Sequence, residues 1–200
     1  MTTIVAIQGN GFALVGSDSR ICDVDEGGYV SMTTTLKGTS AKVATNGKYL
    51  LGAAGDVRAI NILHHAFTPP QPPISAIGSK LDKFFTTKFI PALRECFEQQ
   101  GYAVPQRDTS SHIAEQSSTI LVVVNATVYV VNEDYSWANE RSGIYALGSG
   151  AQYAVGALHA RKGKKEYTPT KARSEILLAL QVASRFDPHT GPPFNCLMQN

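Results

Sequence analysis

The sequence predicts an α+β fold in which two antiparallel sheets pack face to face and helices cover their outer sides. Apolar, β-branched runs occur in pairs around short Gly or Asn turns, which is typical of β-hairpins. Segments with apolar residues at helical spacing separate these hairpins in pairs. The resulting order of strands, two helices, strands, two helices and a final strand indicates a layered α+β architecture.

Two hairpins begin the chain. Residues 2–8 and 12–16 are β-branched or apolar and flank a Gly-Asn-Gly turn, and residues 42–45 and 48–54 flank an Asn-Gly turn. Residues 18–40 lie between the hairpins, are polar, and contain two adjacent glycines and a run of threonines. We therefore expect a long loop with some extended structure there, and loops of this length in compact domains are often functional.

Two helices are expected next. Asp56 is a suitable N-cap, and apolar residues follow at helical spacing until the Pro-rich stretch at 68–73 ends the helix. A second helix is expected from about Ser79 to Gln99, because this segment carries an apolar stripe. Pro91 lies inside the stripe and predicts a kink or a break.

A third hairpin is predicted in the second half of the chain. Residues 101–117 are expected to form a loop, and residues 118–124 and 127–131 are apolar, β-branched runs around an Asn-Ala turn. Residues 144–147 predict one further short strand.

Two more helices are expected towards the end of the chain. The first covers about residues 151–162 and follows a Gly-Ser-Gly segment. The second begins at Thr168-Pro169, an N-cap followed by proline in the first turn, and ends before the turn-forming stretch 187–193. A short last strand completes the predicted order of elements.

The composition limits the class of protein. Of the 200 residues, 43% are hydrophobic and 17% are charged, which is typical of a globular protein. No linker or repeat divides the chain, so we expect a single domain over residues 1–200. A formal net charge of +2 is too small to indicate a nucleic-acid or membrane partner. The basic run at residues 161–165 is interpreted as a solvated loop.

The location expected from the sequence is the cytoplasm. No signal peptide is visible, and the longest apolar runs fall far short of the roughly 20 residues that a membrane helix needs. Cys22, Cys96 and Cys196 share no close spacing. They form neither a disulfide framework nor a zinc pattern, and a reducing compartment is the simpler inference.

Several familiar functional motifs do not occur in the sequence. It has no Gly-rich phosphate loop, no His-Glu-x-x-His motif and no Gly-x-Ser-x-Gly elbow. His64 and His65 are adjacent, so they point to different sides of a helix and cannot chelate one metal ion together. Asp23, Asp25 and Glu26 are acidic but lack the spacing of a calcium loop. We therefore expect no metal ion and no cofactor.

Six short motifs, each weak alone, occur in order along nearly the whole chain. They are Thr2-Thr3-Ile4-Val5, Gly16-Ser17-Asp18-Ser19-Arg20, Lys42-Val43, Gly52-Ala53-Ala54-Gly55-Asp56, Gly148-Ser149-Gly150 with Tyr153-Ala154 after it, and Asp187 with Thr190-Gly191. In this combination the sequence resembles the proteasome β-subunit family, which includes the HslV peptidase and related small bacterial and phage homologues. The resemblance implies the fold of the N-terminal nucleophile (Ntn) hydrolases, a four-layer αββα sandwich, which agrees with the layers predicted above.

The resemblance also implies a nucleophile and its activating groups. Thr2 matches the nucleophile, whose own α-amine serves as general base once Met1 is removed. An unperturbed α-amine has a pKa of about 7.7–8.0, so an appreciable fraction is neutral near pH 7. Lys42 matches the lysine whose ammonium holds the developing negative charge. Asp18 matches the carboxylate that pairs with this lysine and orients it.

Further positions match supporting groups of the family. Ser149 and Asp187 match a serine and an aspartate that hydrogen-bond around the N-terminal amine, and Thr190 stands where many relatives have serine. Arg20 matches a supporting basic position. Gly52 matches the glycine whose backbone N–H points at the oxyanion of the tetrahedral intermediate. The substrate pocket implied by the resemblance is apolar and consists of Ile21, Leu50 and Ala54.

The implied function is a threonine endopeptidase that cleaves peptides or unfolded proteins inside a homo-oligomeric ring or stacked rings. An AAA+ ATPase that unfolds substrates is compatible with this function, although no motif indicates one. The segment between Arg20 and Lys42 is longer than in archaeal relatives. Two alternatives remain: an unprocessed or inactive ring subunit or scaffold of the same fold, and an Ntn amidase that acts on a small amide. The first applies if Met1 is retained, because Thr2 then has no free amine.

Overall fold

The structure of the protein is a computed structural model that describes residues 2–24, 30–37, 41–102, 117–163 and 166–200. Its strands are β1 (Thr3–Gln8), β2 (Ala13–Ser17), β3 (Arg20–Val24), β4 (Val30–Thr35), β5 (Val43–Asn46), β6 (Tyr49–Ala54), β7 (Thr119–Val124), β8 (Thr127–Val131), β9 (Trp137–Ala138), β10 (Ile144–Gly148) and β11 (Asn195–Gln199). Its helices are α1 (Val57–Asn61), α2 (Ser79–Phe84), α3 (Ile90–Gln99), α4 (Ala151–Arg161) and α5 (Pro169–Phe186).

Two antiparallel sheets form the centre of the molecule. The first has the strand order β10-β1-β2-β11, and the second has the order β5-β6-β7-β8-β9. The predicted hairpins are present as the pairs β1–β2, β5–β6 and β7–β8. Each of these pairs is joined by a short turn in which Gly or Asn supplies a positive φ, as at Gly11, Gly47 and Asn125.

Three apolar clusters show that the sheets and helices form four layers. One cluster lies between the two sheets, a second lies between the first sheet and α4 and α5, and a third lies between the second sheet and α1 to α3. Strand β1 contributes to two of them, because side chains alternate along a strand. Ile4 and Ala6 face the other sheet, whereas Val5 and Ile7 face the helices. The predicted α+β sandwich of αββα type is confirmed.

Two of the predicted helices begin at the expected N-caps, and another differs locally from a regular α-helix. The Asp56 carboxylate accepts the Arg58 N–H at the start of α1, and the Thr168 hydroxyl accepts the Lys171 N–H at the start of α5. Pro91 does not interrupt its helix. A π-helical turn, Phe85–Phe89, joins α2 to α3 just before the proline. Such a widened turn is one way for a helix to tolerate a residue that has no N–H to donate.

Strands that the sequence did not predict occur at two places. Within the segment 18–40, strands β3 and β4 form a separate antiparallel pair, whereas residues 25–29 and 38–40 lie outside the described residues. The short strand β9 adds an edge to the second sheet. Most of the loop expected at 101–117 and part of the basic run at 161–165 also lie outside the described residues. No helix in the described ranges is long and apolar enough to cross a membrane.

Candidate active site

Most of the residues named from the sequence come together at one end of the sandwich. Here β1 begins next to the last residues of β2 and β10, because Thr3 pairs with Gly148 and Ile4 pairs with Ser17. The second sheet reaches the same end with the last residue of β6. Thr2 directly precedes β1 and is only 3% exposed. Met1 lies outside the described residues.

Asp18 is a buried carboxylate that accepts four hydrogen bonds. One oxygen, Oδ1, accepts the Thr3 N–H at 2.9 Å and the Lys42 ammonium at 2.7 Å. The other oxygen, Oδ2, accepts the N–H groups of Arg20 and Gly191 at 3.0 and 3.1 Å. A carboxylate that is buried away from solvent is stabilised when both of its oxygens accept hydrogen bonds in this way. The Asp18 side chain therefore ties Lys42 to the backbone just after Thr2.

Lys42 is fully buried beside this carboxylate, with side-chain exposure of 0% for both partners of the ion pair. Its ammonium also donates to the backbone carbonyl of Arg20. Burial lowers the pKa of Lys42 below its ordinary value, and the charge and hydrogen bond of Asp18 oppose this effect. The predicted pair of Asp18 and Lys42 is present in the structure, next to Thr3.

Arg20 connects two turns of the backbone. Its side chain donates to the Pro188 carbonyl oxygen at 2.8 Å, and its guanidinium lies against Gly191, where a Cβ atom would overlap it. The Ser19 N–H also donates to the Gly191 carbonyl at 3.0 Å. These contacts hold the turn that follows α5 against the turn that follows β2. We call Asp18, Lys42 and Arg20 the Asp18 cluster.

A second set of hydrogen bonds surrounds Asp187, which is the residue after α5. Its Oδ2 atom accepts the Ser149 hydroxyl at 2.7 Å and the Thr190 hydroxyl at 2.5 Å, and Oδ1 accepts the His189 N–H at 3.1 Å. Burial alone would raise the pKa of Asp187, but these hydrogen bonds outweigh it and lower the pKa. Asp187 is therefore ionised at neutral pH. We call Asp187, Ser149 and Thr190 the Asp187 cluster.

Thr3 touches both clusters and was not named as a site residue from the sequence. Its N–H binds Asp18, as described above, and its hydroxyl lies 2.5 Å from the Thr190 hydroxyl. The alternation of side chains along β1 is the signal that could have identified it. If Ile4 and Ala6 face the second sheet, then Thr3 faces the helix layer that carries Asp187 and Thr190.

The pocket beside Thr2 has a volume of about 240 Å³. Its lining consists of Thr2, Ala54, Gly55, Thr119, Gly148 and Ser149. Ala54 was expected there, whereas Ile21 and Leu50 lie outside this lining. Leu50 is buried in the cluster between the sheets, and Ile21 lies on the separate hairpin of β3 and β4. The pocket has a lining of small side chains and backbone.

Two glycines allow the backbone to approach Thr2 and Lys42 closely. A Cβ atom at Gly148, which has φ of 90°, would overlap the Thr2 carbonyl oxygen. A Cβ atom at Gly52 would lie 3.0 Å from the Lys42 carbonyl oxygen and 2.7 Å from Val43 Cγ2. Gly52 therefore lies beside Lys42, on the same face of β6 as Ala54.

Comparison with solved structures finds this architecture in other proteins. BPH from Thiobacillus denitrificans aligns with a TM-score of 0.69 and 17% identity, over 99% of this chain and 97% of that chain. The same protein in complex with epoxomicin aligns with a TM-score of 0.67 and 16% identity, over 99% of this chain and 98% of that chain. Eukaryotic HslV from Trypanosoma brucei aligns with a TM-score of 0.63 and 16% identity, over 99% of each chain.

The chain has the fold of HslV. The resemblance predicted from the sequence is thus confirmed at the level of the fold, and identities this low carry no more than the fold. Comparison of the sequence with protein-family models and with curated protein sequences finds no match.

Among the residues that the structure describes, no group of three or more His, Cys, Asp or Glu side chains is arranged to hold a metal ion. The groups present are hydroxyls, one buried ammonium and two carboxylates. Such a set can activate a hydroxyl nucleophile and stabilise negative charge on an oxygen.

Proposed function

We propose that the protein is a threonine peptidase that hydrolyses peptide bonds with Thr2 as the nucleophile after Met1 has been removed. One observation carries the proposal. Thr2 lines a pocket, and the next residue, Thr3, is hydrogen-bonded both to Asp18, the partner of Lys42, and to Thr190, the partner of Asp187. The proposal treats residues 1–200 as one hydrolase domain.

The chemistry follows from groups around Thr2. The Thr2 hydroxyl oxygen bonds to the carbonyl carbon of the peptide, and its proton passes to the free Thr2 amine. The C–N bond then breaks, and the amine returns the proton to the leaving nitrogen, which leaves an ester on Thr2. Water adds to this ester with the same amine as base, and the peptide acid departs as the ester bond breaks.

The two clusters have different roles in this reaction. Lys42 supplies positive charge that favours the ionised Thr2 hydroxyl, Asp18 keeps Lys42 in position, and the Gly52 N–H binds the oxyanion. Ser149, Asp187 and Thr190 hold and orient the amine, which must be neutral before it can accept a proton. Arg20 supports the Asp18 cluster and the Asp187 cluster, because it links the turn at 187–191 to Asp18.

The pocket favours cleavage after small or apolar side chains. Among the residues that the structure describes, the lining contains no charged group that could pair with an acidic or basic side chain. Ile21 and Leu50, which the resemblance also assigns to the pocket, do not belong to this lining. Hydrolysis of a panel of peptides that vary in the residue at the cleaved bond tests this preference. A clear preference for acidic or basic residues would contradict it.

Intact mass and hydrolysis of a fluorogenic peptide test the central proposal together. We expect the active protein to lack Met1 and Thr2→Ala to lose essentially all activity. Thr45→Ala removes a threonine at an exposed position of strand β5 and is the matched control, so we expect it to keep wild-type activity. Because a structure of BPH contains epoxomicin, this compound is a further probe, and wild type but not Thr2→Ala is expected to bind it.

Each outcome separates the alternatives. Retention of Met1 with no hydrolysis identifies an unprocessed ring subunit or scaffold. Hydrolysis of a small amide without hydrolysis of peptides identifies an amidase. Activity that survives Thr2→Ala excludes Thr2 as the nucleophile.

A further inference from the structure

Thr3 is joined by hydrogen bonds to both clusters of the site. Its side chain is fully buried, and it directly follows Thr2 in the chain. Its N–H is held by Asp18, and its hydroxyl meets the Thr190 hydroxyl. Gly150 packs so closely on this pair that a Cβ atom there would overlap the Thr3 hydroxyl. The Thr3 side chain is therefore held between β1, the start of α4 and the turn after α5.

The direction of the hydrogen bonds in this arrangement is fixed by counting protons. A hydroxyl has one proton to donate, and an ionised carboxylate can only accept. Thr190 therefore gives its proton to Asp187, and the proton between the two threonine hydroxyls comes from Thr3. The result is a chain of donors from Thr3 to Thr190 to Asp187, which also accepts the Ser149 hydroxyl.

We propose that Thr3 is a positioning residue for catalysis, whose hydroxyl fixes Thr190 and Asp187 in the orientation that holds the Thr2 amine. This inference rests on the proposed function. Hydrogen bonds in a chain polarise one another, so the Thr3 donor strengthens the bond from Thr190 to Asp187. Without it, the Asp187 carboxylate keeps more of its negative charge and favours the protonated form of the Thr2 amine.

Thr3→Val is the variant that tests this inference, because valine has nearly the shape of threonine and suits a strand, but has no hydroxyl. We expect kcat on the peptide to fall about tenfold to hundredfold, while KM stays within about twofold. We also expect the acid limb of the kcat/KM profile to move to higher pH, since the amine then loses its proton less readily. Thr3→Ser keeps the donor and is expected to restore both rate and pH profile.

The matched control is Ser17→Ala. Ser17 is a buried residue on the neighbouring strand β2, and its hydroxyl has no hydrogen-bond partner among the described residues. Its loss is expected to leave kcat and the pH profile unchanged. Thermal unfolding of every variant shows that the rates compared are those of folded protein.

Three results are decisive. A Thr3→Val protein that unfolds at a lower temperature but keeps the wild-type kcat and pH profile shows a purely structural role of Thr3 and overturns the inference. If Thr3→Val does not fold, Thr3→Ala takes its place, because alanine also has no hydroxyl to donate, and a wild-type rate and pH profile there also overturn the inference. A wild-type protein without Met1 that hydrolyses no peptide contradicts the proposed function instead, since no rate then exists for Thr3 to influence.

Discussion

At the scale of single residues, Asp18 organises the backbone around the site. Its four hydrogen bonds reach β1, the turn after β2, the buried lysine and the turn after α5. A buried ion pair of this kind gains little net stability against a well-packed apolar pair, but losing one partner is costly. The Asp18 carboxylate therefore matters both for holding these segments in register and for keeping a charged Lys42 in the interior.

Asp18→Asn is predicted to lower the free energy of unfolding by about 3–5 kcal/mol, because it removes the carboxylate that forms an ion pair with the buried Lys42 ammonium. Denaturant unfolding measures this loss. Adding Lys42→Met to Asp18→Asn removes the buried ammonium as well and is expected to recover part of the stability. The exposed pair Arg94–Glu98 is the control, and Glu98→Gln should cost at most about 1 kcal/mol. A loss for Asp18→Asn no larger than for Glu98→Gln contradicts the prediction.

Gly148→Ala is predicted to destabilise the fold and to abolish hydrolysis. The added Cβ atom meets the Thr2 carbonyl oxygen, and the φ of 90° is itself unfavourable for alanine. Gly156→Ala is the matched control, because Gly156 lies in α4 with open space around it and alanine there should stabilise by about 0.5–1 kcal/mol. Peptide hydrolysis and thermal unfolding are measured for both. Normal activity in Gly148→Ala would show that Thr2 tolerates displacement.

At the scale of elements, a histidine connects the α1 region to the second sheet. His64 lies in the π-helical turn Ile62–Ala66 that continues α1, and its Nε2–H donates to the Leu51 carbonyl oxygen at 3.0 Å. Burial lowers the pKa of His64, although the hydrogen bond to Leu51 opposes this effect. The folded state therefore favours the neutral ring, and the pair fixes this helix against β6.

This lowered pKa predicts a pH dependence of stability. In the unfolded chain His64 takes up its proton near pH 6.5, whereas in the folded protein it takes up the proton only at a lower pH. The unfolded state thus binds more protons between these values, and stability is lost as the pH falls below 6.5. Unfolding by urea at about pH 8 and about pH 5 measures the loss, which should be smaller in His64→Gln. His65→Gln, a change at the exposed neighbour, should keep the wild-type loss.

The elements differ in how well the sequence predicts them. The hairpins β1–β2, β5–β6 and β7–β8 are predictable because their turns require specific residues and their strands have a buried face. The pair β3–β4 was expected only as a loop with some extended structure, since residues such as Thr33 and Thr34 are exposed and give no apolar alternation. Strand β9 has only two residues, which is too short for any pattern.

At the scale of the whole molecule, the sequence names candidate site residues but does not predict their contacts. Thr2, Asp18, Lys42, Ser149, Asp187 and Thr190 could be named because their motifs occur in a recognisable order. The hydroxyl contact of Thr3 with Thr190 could not, because it depends on how the end of α5 approaches β1 across the layers. Which side chains line the pocket likewise depends on packing. Ile21 and Leu50 were expected in the pocket but lie outside its lining.

The proposed ring is also a property of the whole molecule. The chain leaves large apolar side chains at its surface, among them Ile74 at 89% and Phe186 at 63% exposure. Apolar surface of this kind is consistent with burial between subunits. Native mass spectrometry is predicted to show a homo-oligomer whose mass is a whole multiple of the chain. A monomer at micromolar concentration under native conditions contradicts the ring.

The hydrogen bonds of Asp18 to Thr3 and to Gly191 have a consequence for the order of events during synthesis. They join the first residues of the chain to a turn close to its end, and β11 must still pair with β2 beyond that turn. Contacts this distant in sequence form late, since the intervening chain must close first. A ribosome-bound chain that lacks its last segment therefore has no complete site. Any activity of the site would therefore appear only after β11 has left the ribosome and paired with β2.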